Sequence, residues 1–232
     1  MTLGRSVLLH IVPGAITTLV YVLIAPGLEA RGIPAVFGLV LATAFILIPL
    51  EIGWLLFEAR RGNRVLFREP ISRKQLFGYA GLLIGWGLLS SVLFFRADHF
   101  LQQHVFEWLP SWYMVTSVEQ FAPYSRAVLK ALLFFGVIIA GFAGPIVEEF
   151  YFRGYLLPRL EQFRKAAPLV HALLFSLYHF WTPWQNVSRI ALMVPLTYLV
   201  WWKRNIYIGM IAHIALNAIV WGFTLGGLLR SP

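Results

Sequence analysis

The amino-acid sequence predicts an all-α integral membrane protein, a polytopic bundle of seven to eight transmembrane helices. Hydrophobic residues make up 59% of the 232 residues and charged residues only 12%, about half the charged fraction of a soluble domain. The apolar residues stand in long unbroken runs, and no run alternates as the strands of a membrane barrel do. Helices satisfy their own backbone hydrogen bonds in lipid, so these runs favour helices.

Seven apolar runs mark the predicted helices. We expect the first to be a membrane span, because it is longer than the apolar region of a signal peptide and no small-residue cleavage site follows it. The fourth is long enough for one broken helix or for two, with the break at Gly141, Gly144 and Pro145. The runs cover residues 6–28, 34–57, 77–95, 127–158, 168–182, 189–202 and 206–228.

The chain is expected to form a single membrane domain over residues 1–232. Residues 126–232 contain the motifs described below, whereas residues 1–125 contain none of them. Cysteine is absent, which excludes disulfides, thiolate metal ligands and a cysteine nucleophile. The net charge of +9 comes from short basic tracts beside apolar runs, so we expect membrane lipid as a partner and no nucleic acid.

The distribution of basic residues predicts the orientation in the membrane. Residues 58–75 contain six Lys or Arg and residues 153–168 contain four; with Arg5, Lys203 and Arg204, one side of the membrane collects 13 of the 19 basic residues. This side is predicted to be cytoplasmic, with the N-terminus inside. The aromatic-rich segment 96–126 is then outside, and we expect it to lie at the membrane interface.

Three ionisable residues of the later runs fall at one predicted depth. Counting about 1.5 Å per helical residue, Glu148, His179 and His213 lie roughly 10 to 16 Å from the same membrane face. Ionisable side chains are costly within a membrane and usually mark a function. A shared site near the cytoplasmic side is therefore predicted, with Glu51 of the second run at a similar depth, either paired with Arg153 or anchoring its helix. His10 and His171 are expected at the interface.

Helical spacing divides these residues by role. Glu149 and Arg153 are four residues apart and can form an ion pair, while Glu148 points about 100° away and is a candidate general base. His179 is a candidate for orienting a water molecule beside Glu148. His213 and Asn217, also four apart, could donate two hydrogen bonds to one oxygen, as an oxyanion hole does.

The ordered motifs resemble those of a known family of membrane proteases. Glu148-Glu149-x-x-x-Arg153, Phe175-x-x-x-His179 and His213-x-x-x-Asn217 are similar to the motifs of the CPBP (Abi) family, which includes the type II CAAX prenyl endopeptidases. The resemblance covers roughly residues 140–220 and implies an eight-helix membrane fold that hydrolyses a peptide or lipidated protein substrate. It also implies that Glu148 and His179 activate water, that His213 and Asn217 stabilise the oxyanion, and that Glu149 and Arg153 support them.

Other interpretations stay open. A zinc site built from the histidines and glutamates is possible, but a metal-free glutamate mechanism is favoured because no helix carries two His four residues apart with a Glu between them. Glu149 with Arg153 could be a purely structural ion pair, and His213 with Asn217 an interhelical contact. The whole protein could instead be a proton- or cation-coupled transporter, or a catalytically idle scaffold of the bacteriocin-immunity type.

Overall fold

The computed structural model describes residues 1–114 and 118–230, and in this part of the chain it contains seven helices and no β-strand. This confirms the predicted helical membrane bundle. Helix ends follow local signals: Ser72 and Gln75 form a capping box, Ser125 accepts a hydrogen bond from the backbone N–H of Val128, and Arg204 ends a helix in the left-handed conformation. The helices are α1 (Leu3–Glu29), α2 (Ala35–Arg60), α3 (Arg73–Val105), α4 (Arg126–Arg159), α5 (Ala167–Leu177), α6 (Asn186–Lys203) and α7 (Ile206–Arg230).

Five of the described helices, α1, α2, α3, α4 and α7, are long and apolar enough to cross a membrane. The chain is therefore an integral membrane protein. Helix α5 has 11 residues and a length of about 16 Å, roughly half the thickness of the hydrocarbon core. It ends at Leu177, although the apolar run continues to residue 182, and a separate turn begins at Pro183.

The predicted break in α4 takes the form of altered winding. The helix continues through Gly144 and Pro145, but a π-helical segment, Gly136–Ala143, comes directly before them. Proline lacks a backbone N–H and clashes with the carbonyl of the preceding turn, and the wider winding accommodates both effects. A second π-helical segment, Glu149–Leu156, follows the short α-helical turn. Such segments are frequent at functional sites.

Helix α7 packs against α3, α4 and α6, while α1 packs against α2 and α5. The main core cluster lies between them and includes Phe152, Phe175 and Tyr178. Large apolar side chains on the outer faces of α1 and α3 remain exposed, among them Leu23 and Val92. In a membrane these faces contact lipid.

The basic connections, which are residues 58–75 and 153–168 together with Arg5, Lys203 and Arg204, lie at one end of the bundle. Arg5 forms an ion pair with Glu58 at 3.1 Å, and Arg159 donates a hydrogen bond to the carbonyl oxygen of Arg64. The backbone N–H of Ile206 donates to the carbonyl of Phe67 at 2.8 Å. These contacts bring together the four parts of the chain in which the sequence concentrates positive charge.

Some side chains that were expected at the membrane interface are buried within the protein. Tyr113 is buried and donates a hydrogen bond to the carbonyl of Phe180 at 2.7 Å, so part of the aromatic segment packs onto the protein. His10 and His171 are fully buried within the helix bundle. His10 Nδ1 donates to the carbonyl of Ser6, and His171 Nδ1 donates to His10 Nε2 at 2.9 Å. Burial away from water requires such pairing of polar groups.

Candidate active site

Glu148 and Glu149 lie where α4 changes its winding. Glu148 is the last residue of the α-helical turn and Glu149 the first of the π-helical segment Glu149–Leu156. Both side chains are buried. The 100° separation led us to expect separate surroundings for them, but both carboxylates reach the same imidazole on α7.

His213 bridges the two glutamates. Its Nδ1 atom lies 3.1 Å from Oε1 of Glu149, within hydrogen-bond distance, and its Nε2 atom lies 3.6 Å from Oε2 of Glu148. The carboxylate of Glu149 accepts the Nδ1 proton. The two ring nitrogens point in different directions, so one imidazole contacts both carboxylates although these point apart.

The ion pair between Glu149 and Arg153 is present, with 3.3 Å between Oε1 and Nη1, and both residues are fully buried. The guanidinium group stacks 3.9 Å from the centre of the Phe175 ring. Its Nη2 atom also lies 2.8 Å from Sδ of Met193. Planar guanidinium groups favour this kind of stacking, which places the positive charge inside the apolar core.

Asn217 links α7 to α4 by a hydrogen bond. Its Nδ2 atom donates a hydrogen bond to the carbonyl of Ala140 at 3.1 Å, in the π-helical segment Gly136–Ala143. An amide nitrogen carries two protons, so this bond leaves a second donor on the side chain, one helical turn from His213.

His179 lies in the turn after α5. Its Nδ1 atom lies 2.8 Å from the carbonyl of Phe175, which can only accept, so Nδ1 carries the proton. In the neutral ring Nε2 is then a hydrogen-bond acceptor. Among the described residues His179 makes no direct hydrogen bond to Glu148; Tyr178 lies beside it, with the two ring centres 4.6 Å apart.

Tyr178 is a site residue that the sequence analysis missed. Its hydroxyl group is fully buried, donates to Oε1 of Glu148 at 2.9 Å, and lies 3.4 Å from Oε1 of Glu51. A buried tyrosine in an apolar helix needs a hydrogen-bond partner, and this was the available signal. The sequence did not indicate which partner.

Glu51 is fully enclosed, but not by the predicted partner. Its carboxyl group contacts Tyr178, and among the described residues it forms no ion pair with Arg153. Its Oε2 atom has no hydrogen-bond partner in this part of the chain. The structure therefore adds a third carboxyl group to the two of α4.

A zinc ion at this site would need ligands from its histidine and glutamate side chains. Zinc in proteases is held by three protein ligands, and the described residues contain no group of three or more His, Cys, Asp or Glu placed to hold a metal ion. The Nδ1 atom of His213 is already bonded to Glu149. The side chains present can instead accept a proton from water and donate hydrogen bonds to an oxygen atom.

Fold and site together define a class, a helical membrane protein in which buried carboxyl and imidazole groups from separate helices form one polar centre. Residues 130–219 match the family model described as type II CAAX prenyl endopeptidase Rce1-like. The matched segment contains every residue of the three motifs. The resemblance to this family is thereby confirmed, and it supports a protease of the CAAX type. No curated protein and no solved structure matches the chain.

Proposed function

We propose that the protein is an intramembrane endopeptidase that cleaves a lipidated, CAAX-type protein substrate, with Glu148 as the general base. The surroundings of the Glu148 carboxylate support this proposal. Tyr178 donates to one of its oxygens, and the other faces the imidazole of His213 at 3.6 Å. These groups lie inside the segment that matches a prenyl endopeptidase family.

Water activation is assigned to Glu148 and His179. The proton of the attacking water passes to the Glu148 carboxylate while the water oxygen bonds to the scissile carbonyl carbon. Nε2 of His179, the acceptor nitrogen of that ring, orients the water by accepting its second O–H. The proton on Glu148 then passes to the leaving amine, which completes the hydrolysis.

The oxyanion is assigned to His213 and Asn217. His213 donates to Glu149 through Nδ1, so it can donate from Nε2 only as an imidazolium. Glu149 and Glu148 lie on its two sides, and Arg153 forms an ion pair with Glu149. With the second amide proton of Asn217, two donors stabilise the tetrahedral intermediate.

The proposal includes a metal-free mechanism and an orientation. The reaction uses only side chains of the protein, so a chelator is expected to leave the rate unchanged. The N-terminus and the basic connections face the cytoplasm, which places the site nearer to that side of the membrane.

Cleavage of a farnesylated peptide by the purified protein in liposomes tests this function, with the products identified by mass spectrometry. We expect Glu148→Gln, His179→Ala and His213→Ala to lower kcat about 100-fold or more, since each removes a group that takes part in the chemistry. The matched control is Glu107→Gln, on an exposed glutamate outside the site, which should behave as wild type.

The proposal is wrong if the three folded variants all cleave the peptide at the wild-type rate. Loss of activity on chelation, restored by zinc, would overturn the metal-free mechanism alone. Proton-coupled uptake into liposomes without any peptide cleavage would favour the transporter.

A further inference from the structure

The hydroxyl group of Tyr178 lies between two carboxyl groups that come from different helices. Glu148 belongs to α4 and Glu51 to α2, and their nearest oxygens lie 2.9 and 3.4 Å from the hydroxyl oxygen. All three side chains are buried. Neither Glu51 nor Tyr178 belongs to the motifs from which the site was predicted.

A proton count shows what this geometry requires. A phenol has one proton, and the shorter distance assigns it to Glu148. The Tyr178 oxygen can then only accept from Glu51, and it can do so only if Glu51 is a carboxylic acid. An ionised Glu51 would be costly in this place, because its Oε2 atom has no hydrogen-bond partner among the described residues and a buried charge needs one.

Helix α1 fixes the position of Tyr178. A Cβ atom on Gly14 would lie 2.6 Å from Cδ2 of Tyr178 and would also collide with its backbone carbonyl. Only glycine allows α1 to pack this closely against the turn after α5. The hydroxyl group therefore has little freedom to move away from the two carboxyl groups.

We propose that Glu51 and Tyr178 are positioning residues for the general base, in which protonated Glu51 donates to Tyr178 and Tyr178 donates to Oε1 of Glu148. This hydrogen-bond chain holds the Glu148 carboxylate in one orientation and leaves Oε2 for the reacting water. The inference rests on the proposed role of Glu148.

Four variants, each assayed by peptide cleavage, test this hydrogen-bond chain. In Glu51→Gln the amide N–H₂ group can still donate to Tyr178, so kcat is expected to stay within about threefold of wild type. Glu51→Leu and Tyr178→Phe remove a donor and should lower kcat about 10- to 100-fold with little change in KM, because Glu148 loses its orientation. The control is Tyr124→Phe, which removes another tyrosine–glutamate hydrogen bond, to Glu29 at 3.0 Å, outside the site.

An infrared difference spectrum provides a second measurement that does not depend on activity. Wild type minus Glu51→Gln should contain the C=O stretching band of a protonated carboxyl group. Carboxylate bands in its place, or a Glu51→Gln variant as slow as Glu51→Leu, would contradict the proposal that Glu51 is protonated. Wild-type kcat in Tyr178→Phe would overturn the positioning role. Full activity of Glu148→Gln would instead contradict the proposed function, so the two failures are distinguishable.

Discussion

The guanidinium group of Arg153 compensates the charge of Glu149 inside the helix bundle. Both residues are fully buried, with 3.3 Å between the charged atoms, and Glu149 in turn bonds to His213. Loss of the cation would leave a carboxylate in an apolar core. Removing one partner of such a pair costs far more than replacing both by neutral side chains.

Arg153→Met is therefore expected to lower the free energy of unfolding by about 3 kcal/mol. The measurement is denaturant unfolding of the detergent-solubilised protein, followed by tryptophan fluorescence. Arg73→Met is the control, because Arg73 is exposed in the first turn of α3, and it should change stability by less than about 0.5 kcal/mol. The double variant Glu149→Gln/Arg153→Met should be more stable than Arg153→Met alone, and a less stable double variant would contradict the argument.

At the scale of single helices, Gly209 determines how closely α7 approaches α4. A Cβ atom at this position would lie 2.7 Å from Oε2 of Glu149 and 3.0 Å from Cγ2 of Val200. Glycine is a poor helix former, so helix propensity alone would favour alanine here. The close contact with Glu149 explains why the smallest residue fits this position.

Gly209→Ala is expected to lower kcat about 10-fold or more, because the methyl group displaces the carboxylate that orients His213. The same substitution at Gly222 provides a matched control within α7, since a Cβ atom there would meet no atom within 4 Å. Gly222→Ala should keep wild-type activity. Equal activity of both variants in the peptide assay would show that the approach at Gly209 is unimportant.

The winding of α4 was only partly predictable from the sequence. Gly144 and Pro145 marked the correct place for an irregularity, because proline removes a helical hydrogen bond. They did not indicate whether the chain would break or widen. That outcome depends on neighbouring helices such as α7, whose Asn217 donates a hydrogen bond to the carbonyl of Ala140 in the widened turn.

At the scale of the whole molecule, the basic connections predict the orientation in the membrane. The chain contains no cysteine, so single cysteines can be placed without background. With a membrane-impermeant maleimide, Lys74→Cys should be labelled only after cells are permeabilised, and Glu107→Cys should be labelled in intact cells. Both positions are exposed. The reverse labelling pattern would place the N-terminus outside.

Composition and local spacing by themselves determined that the protein is a helical membrane protein and identified several residues of its polar centre. Long apolar runs require helices in lipid, and costly groups such as Glu148 and His213 stand out within them. The spacing of four residues also indicated the Glu149–Arg153 contact, because it is a property of a single helix.

Only the tertiary structure decided which groups from different helices meet. His213 bridges both glutamates, and Tyr178 joins Glu148 to Glu51. The physical reason is that helical periodicity relates residues within one helix, whereas contacts between helices depend on packing. Small residues such as Gly14 and Gly209 set that packing, and no local pattern in the sequence reveals their partners.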